Sequence, residues 1–314
     1  MSLHDFHIGS PMTFIGLDNY KNLAGNRRFL ESIGHTFYFT ILSVLLPMLL
    51  GTLAALVFHK KFRGRGFFRT LFIMPMMATP VAVSLIWTMM FHPQLGVLNY
   101  LLSLVGLPPS QWVFSPGTVI PSLVLVEVWL WTPFCMIIVL GGLASLPSEP
   151  YEAALIDGAS QWQMFWKITY PLVAPFLVVA LIIRTIDALK AFETIWVICN
   201  GGPGTSSETL NVYLYNQAFA YNQVGTASAV VVVFFAIIVA LSLVNSAHPF
   251  TLAVLPLFVI QKLGAPTGTV GILLGVIAFM EMPVMIGVGA LARRLPVWQI
   301  IVAGGILHAV FMLA

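Results

Sequence analysis

Charge is scarce in this sequence. Asp, Glu, Lys and Arg make up 8% of the 314 residues, against roughly a quarter in an ordinary soluble domain, while 59% are hydrophobic. A soluble chain of this size has too little interior to hide so much apolar surface, so its outside must face lipid. Thiols are scarcer still: Cys135 and Cys199 stand alone within or at the end of apolar runs, which excludes a disulfide framework and reads both as packing residues. The seven His are scattered, no H-E-x-x-H occurs, and there is no G-x-x-x-x-G-K-[ST] loop. No metal, no cofactor and no nucleotide hydrolysis on this chain are therefore expected. The net charge of +3 comes from cations grouped where a membrane protein needs anchors, so nucleic acid is not implied. Period-two alternation is also missing. Val230 to Val244 is apolar at nearly every position, which excludes barrel strands and leaves helices. Met1 to Ser10 holds no basic stretch followed by an apolar core, so no cleavable signal peptide is expected.

Apolar runs long enough to span a bilayer, or nearly so, fall at about 36–58, 70–91, 119–145, 172–198, 226–244, 250–264, 268–292 and 297–314. The fold class is all-α integral membrane, a polytopic bundle of about seven or eight spans. Between the first two runs, residues 59–69 carry five basic residues (Lys60, Lys61, Arg63, Arg65, Arg69), whereas 92–118 and 199–225 carry none. The positive-inside rule puts 59–69 in the cytoplasm, 92–118 and 199–225 outside, and 146–171 inside. The tail of residues 1–35 is then extracytoplasmic, although it holds Lys21, Arg27 and Arg28. Within it, 19–28 is polar enough for a short surface helix. Turn signals at Gly106-Leu107-Pro108-Pro109 and Gly201-Gly202-Pro203-Gly204 mark the outer loops as structured.

The inside loop 146–171 is the most informative stretch. It carries one cation, Lys167, against Glu149, Glu152 and Asp157, the reverse of the bias that a lipid-facing cytoplasmic loop shows. A protein surface is expected to cover it. Pro150 suits a helix start, Glu152 favours the positive end of the helix dipole, and Ala153 and Ala154 permit close approach. Gly158 then turns the chain. Beyond it Trp162, Phe165, Trp166 and Ile168 form an amphipathic stretch suited to the membrane face before Pro171 opens the next span.

Glu152-Ala153-Ala154, Gly158, Ile168 and Pro171 stand at the spacing of the EAA signature of binding-protein-dependent ABC importer permeases, and the loop resembles that family closely. Tyr170 departs from it, standing where the signature has Leu. Phe14-Ile15-Gly16-Leu17-Asp18-Asn19-Tyr20, Phe62-Arg63-Gly64-Arg65-Gly66, Trp131-Thr132-Pro133-Phe134 and Gly201-Gly202-Pro203-Gly204 resemble its sugar branch. The resemblance runs over residues 3 to about 240. It implies a type I importer permease core over 36–244, working by alternating access in the bacterial inner membrane. Its partners would be a second permease subunit, an extracytoplasmic sugar-binding protein and a cytoplasmic ATP-binding subunit. Glu152, Ala153, Ala154, Asp157, Gly158, Ile168 and Pro171 would form the ATPase-coupling loop. The family's usual first span, before Phe14, is not found.

The fourth run contains Arg184, Asp187, Lys190 and Glu193 at steps of three, which on one continuous helix sets each charge beside an opposite neighbour. Two readings stand. Asp187 hydrogen-bonds sugar with Arg184 orienting it, or the row is an ion-pair ladder between helices. Glu127 with Trp131, near Trp129, is a second candidate for sugar contact, against the alternative of an interfacial aromatic belt.

After about residue 240 the resemblance changes. Leu255-Pro256-Leu257-Phe258-Val259-Ile260, Met280-Glu281-Met282-Pro283 and the stretch from Gly287 to Arg294 resemble part of a major facilitator sugar efflux transporter. Residues 245–314 are read as additional transmembrane helices, entered by an inside turn at Asn245 to Pro249, and the chain as a fusion of two truncated membrane proteins. The expected function is the permease subunit of a sugar importer. The rival readings are a facilitator-type sugar efflux transporter, which would lack the acidic loop, and a truncated fusion without transport activity.

Overall fold

The computed structural model describes residues 1–240, of which Met1–Phe235 form one compact unit. The expected spans at 250–264, 268–292 and 297–314, the turn at Asn245 to Pro249, Glu281 and the facilitator-like motifs lie outside the described residues.

A small hairpin, β1 (His4–Asp5) and β2 (Thr13–Phe14), leads into α1 (Asp18–Gly25), the surface helix that its polar composition favours. The first long helix, α2 (Arg27–His59), begins about nine residues earlier than its apolar run. Its first turns are polar, with Asn26 Oδ1 accepting from the Phe29 amide at 3.2 Å as cap. At 33 residues α2 is about 50 Å long, more than the roughly 30 Å of bilayer hydrocarbon, so its polar start stands clear of lipid.

The second expected span is not one straight helix. It is α3 (Arg65–Ile73), a 3-10 turn at Met74–Met77, and α4 (Pro80–Met90), with the two parts meeting at 96°. Pro75 and Pro80 explain the break. Pro80 lacks the amide that would continue the helix, and Ala78 and Thr79 before it are extended. The two parts pack near opposite ends of one spanning helix. Phe72 and Ile73 lie against Met136, Val139 and Leu140 near one end of α6 (Val119–Ala144), whereas Val83, Trp87 and Phe91 join Val119, Leu123 and Val126 near the other.

An outer helix, α5 (Val97–Leu104), precedes α6; α7 (Glu149–Ile156) and α8 (Gln161–Met164) follow it, and a π-helical turn at Phe165–Thr169 runs into the next spanning helix, α9 (Tyr170–Leu189). Then come α10 (Glu193–Cys199), α11 (Leu210–Tyr215), a second π turn at Asn216–Ala220 and α12 (Val224–Ala240).

α2 and α6 run parallel and close. The buried residues of α2 include, beside Phe29, Phe39, Val44 and Phe58, the smaller Ser32, Thr36, Thr40, Ser43, Pro47, Gly51 and Ala55, of the kind that lets membrane helices approach. A Cβ on Gly51 would lie 2.6 Å from Cys135 Cβ and 2.9 Å from the Met136 amide nitrogen. α9 returns antiparallel to α6, with Phe176 filling the space above Gly142. Phe58 at the end of α2 clusters with Leu143, Leu146 and Val173, so the basic loop after α2 and the acidic loop after α6 share one membrane side.

The opposite side is capped. Asn19 Nδ2 donates to the Ser2 and His4 carbonyls, each at 3.0 Å, and the Gly225 amide donates to Phe6 O at 3.1 Å. Gly225 must be glycine there, because a Cβ would overlap the His4 carbonyl. Arg28 forms a two-pronged pair with Glu208, Nε to Oε2 at 2.6 Å and Nη2 to Oε1 at 2.7 Å, and Asn216 Nδ2 adds a third donor at 2.7 Å. Lys21 meets Asp18 at 3.0 Å and Arg27 meets Glu31 at 2.8 Å. Every cation of the outer tail thus has a carboxylate. Among the described residues none of the five cations of 59–69 has one within 4.0 Å, which sharpens the charge asymmetry that sets orientation.

Candidate functional site

The acidic loop folds as a short helix presented to solvent. Pro150 lies in the first turn of α7, together with Glu149 and Glu152, so negative charge sits at the positive end of the helix. α7 ends at Asp157, and Gly158 adopts φ +74°, a left-handed conformation that turns the chain away. Ser160 then caps α8 in a reciprocal pair with Gln163. No residue of α7 is buried, and Leu155 and Ile156 are 58% and 87% exposed. α7 is thus a knob that exposes aliphatic side chains beside its charges. Behind the knob Ala154, Asp157, Gly158, Gln163, Lys167 and Ile168 line a concavity of about 360 Å³. Pro171 stands in the first turn of α9.

Trp162 and Trp166 are exposed beside this loop, forming with Phe165 and Tyr170 a run of ring contacts at 5.1–6.3 Å at the foot of α9. This is the amphipathic stretch anticipated for the membrane face.

The charged row of the fourth expected span is not laid out as one helix. α9 stops at Leu189, Lys190 to Phe192 leave the helix, and α10 begins at Glu193. Packing overrides helix continuity: Ile195 and Ile198 are drawn into the cluster around α4 and α6, and Phe192 stacks on Trp196 at 5.6 Å. Asp187 and Lys190 pair at 3.5 Å, as their spacing suggests. Arg184, however, does not orient Asp187. Its Nη2 donates to Glu127 Oε2 on α6 at 2.9 Å and to Ser43 O on α2 at 3.0 Å, and its guanidinium lies 4.8 Å from the Trp131 ring centre. Thr194 Oγ1, on α10, donates to the other carboxylate oxygen at 3.1 Å. One carboxylate and one guanidinium therefore join α2, α6, α9 and α10. Arg184 and Glu127 are 0% and 3% exposed, while Asp187 and Trp131 remain half-buried.

The structure thus brings Glu127, Trp131 and Arg184 together, sets Asp187 one turn further along α9, and keeps the 146–171 loop apart, on the side of the basic loop. Two participants escape a reading of the sequence: Thr194 and Glu208. Only Glu208 carried a signal, as the single acid in an outer loop without cations, facing a tail that holds three.

Residues 47–249 match the family model described as the binding-protein-dependent transport system inner membrane component. The trehalose/maltose transport system permease protein MalF of Thermococcus litoralis is 36% identical over 245 residues, 78% of this chain and 83% of that protein. The multiple sugar-binding transport system permease protein MsmF of Streptococcus mutans is 35% identical over 225 residues, 72% of this chain and 77% of that protein. Among solved structures, a bacterial ABC transporter involved in the import of the acidic polysaccharide alginate superposes with a TM-score of 0.68 at 25% identity, covering 75% of this chain and 83% of that one.

Proposed function

The chain belongs to the binding-protein-dependent transport system inner membrane components, and from that membership we propose that it is the permease subunit of an ATP-driven sugar importer. The observation that carries this reading is the exposed, acidic α7, held between two spanning helices on the side of the basic loop. Such a knob suits docking in a cleft of a cytoplasmic ATP-binding subunit. Glu152, Ala153, Ala154, Asp157, Gly158, Ile168 and Pro171, at the EAA spacing, form the coupling element. A second permease subunit completes the pathway, and an extracytoplasmic sugar-binding protein delivers cargo to the capped outer face. The relatives whose names specify trehalose, maltose and other sugars support carbohydrate as that cargo.

Within the membrane, Asp187 and Trp131 are the groups left half-buried beside the charged centre, a carboxylate for hydroxyls and a ring for a sugar face. Arg184 pairs with Glu127 and lies against the Trp131 ring, while Asp187 pairs with Lys190. We further read 245–314 as a segment of facilitator-like sequence joined to the importer core, from the motifs at 255–260, 280–283 and 287–294 alone.

Co-expression with the cognate ATPase and second permease tests the central claim. Glu152→Lys reverses the charge of the knob, and Gly158→Pro forbids its left-handed turn, so each should abolish co-purification of the ATPase. Unchanged co-purification of both variants would remove the coupling role.

A further inference from the structure

α7 is almost free of the body that it serves. Among the described residues, one side-chain hydrogen bond leaves it: Tyr151 Oη lies 2.9 Å from Thr169 Oγ1. Thr169 Oγ1 in turn donates to Met164 O at 3.5 Å, which leaves the tyrosine hydroxyl as donor in the first bond. Met164 is buried, and Tyr151 and Thr169 are half-buried, so the chain of bonds is sheltered from competing water.

Thr169 occupies a particular place. It closes the π turn Phe165–Thr169, in which the Tyr170 amide reaches back five residues to Phe165 O. Such wide turns are rare and costly, and they persist where a helix needs a point of altered register. The packing around this one has slack. A small gap of about 20 Å³ lies between Phe165, Thr169 and Tyr170 on one side and Thr52 and Leu56 of α2 and Val139 and Leu143 of α6 on the other. The foot of α9 is thus incompletely packed at this turn, and the far end of α9 carries Arg184 and Asp187.

We propose that Tyr151 is a positioning residue that transmits displacement of α7 to α9 through Thr169, with the π turn as the joint between them. This rests on the coupling role of α7 but adds a route from the knob to the charged centre of the membrane. Without the bond, the covalent path from α7 to α9 runs through Asp157 to Ser160 and the short α8. That path includes the glycine turn, which transmits a push poorly.

The test uses the assembled transporter: this chain, its ATPase, the second permease and the binding protein, in lipid nanodiscs. Amide hydrogen exchange is followed in peptides covering α7 and α9, without nucleotide and after trapping with ATP and vanadate. In the wild type, trapping should alter exchange in both helices. In Tyr151→Phe and in Thr169→Val the α7 response should persist while the α9 response falls by about fivefold, the factor that one net hydrogen bond corresponds to. Thr169→Ser, which keeps the hydroxyl, should restore it. The double variant should match either single one, because both remove the same contact. An α9 response undiminished in both single variants would overturn the proposal while leaving α7 as the docking element. A wild type in which trapping leaves α7 itself unchanged would overturn the coupling reading and this proposal with it.

Discussion

Glu127 and Arg184 meet where water is excluded, and each makes the other tolerable. A lone charge at mid-bilayer costs on the order of 2.5–3.5 kcal/mol on insertion scales, and the pair removes most of that by direct contact at 2.9 Å. A buried pair is nonetheless weak evidence for stability as such, since desolvation offsets the attraction, whereas breaking it exposes the full penalty. Glu127→Ala should therefore destabilise the bundle by about 3–5 kcal/mol. Combining Glu127→Gln with Arg184→Met leaves no charge behind and should recover most of that loss. Thermal unfolding in detergent, followed by circular dichroism, distinguishes the two, and equal losses in both would show that the pair is not the source of the effect. The sequence displayed both charges but not their partnership. Spacing on one helix pointed Arg184 at Asp187, while its actual acceptor lies 57 residues earlier on another helix.

Among elements, the parallel contact of α2 and α6 is the tightest, and it depends on one missing methyl group. Gly51→Ala would force a Cβ into the backbone around Cys135, where neither helix can yield without displacing its neighbours. Overpacking of that kind costs typically 1–3 kcal/mol. Gly141→Ala is the matched control, for a Cβ there has no neighbour within 4 Å. The first variant should lower the melting temperature and the second should leave it unchanged; similar melting of both would contradict the packing described. Elements whose signals are local were legible: α7 announced itself through Pro150, its acids and Gly158 within ten residues. The bend between α3 and α4 was legible too, in Pro75 and Pro80, but hydropathy averaged over the window concealed it. The stop between α9 and α10 was not, because Lys190-Ala191-Phe192 contains no breaker and the interruption comes from packing against α4.

For the molecule as a whole, composition pointed to the solvent, and the distribution of cations pointed to an orientation. What remained hidden was how the outer face closes, since Arg28 and Glu208 lie 180 residues apart and nothing local links them. That separation matters during biosynthesis. When the ribosome has delivered α2 to the membrane, the carboxylate that will neutralise Arg28 has not yet been translated, so orientation is chosen against an unpaired arginine and secured only later. Nascent chains halted soon after α2 should accordingly insert in both orientations to a measurable extent, and those extended past Glu208 in one. Alkaline phosphatase and green fluorescent protein reporters fused after residues 70 and 222 read the difference, and a uniform short fusion would show that the five cations of 59–69 suffice from the start.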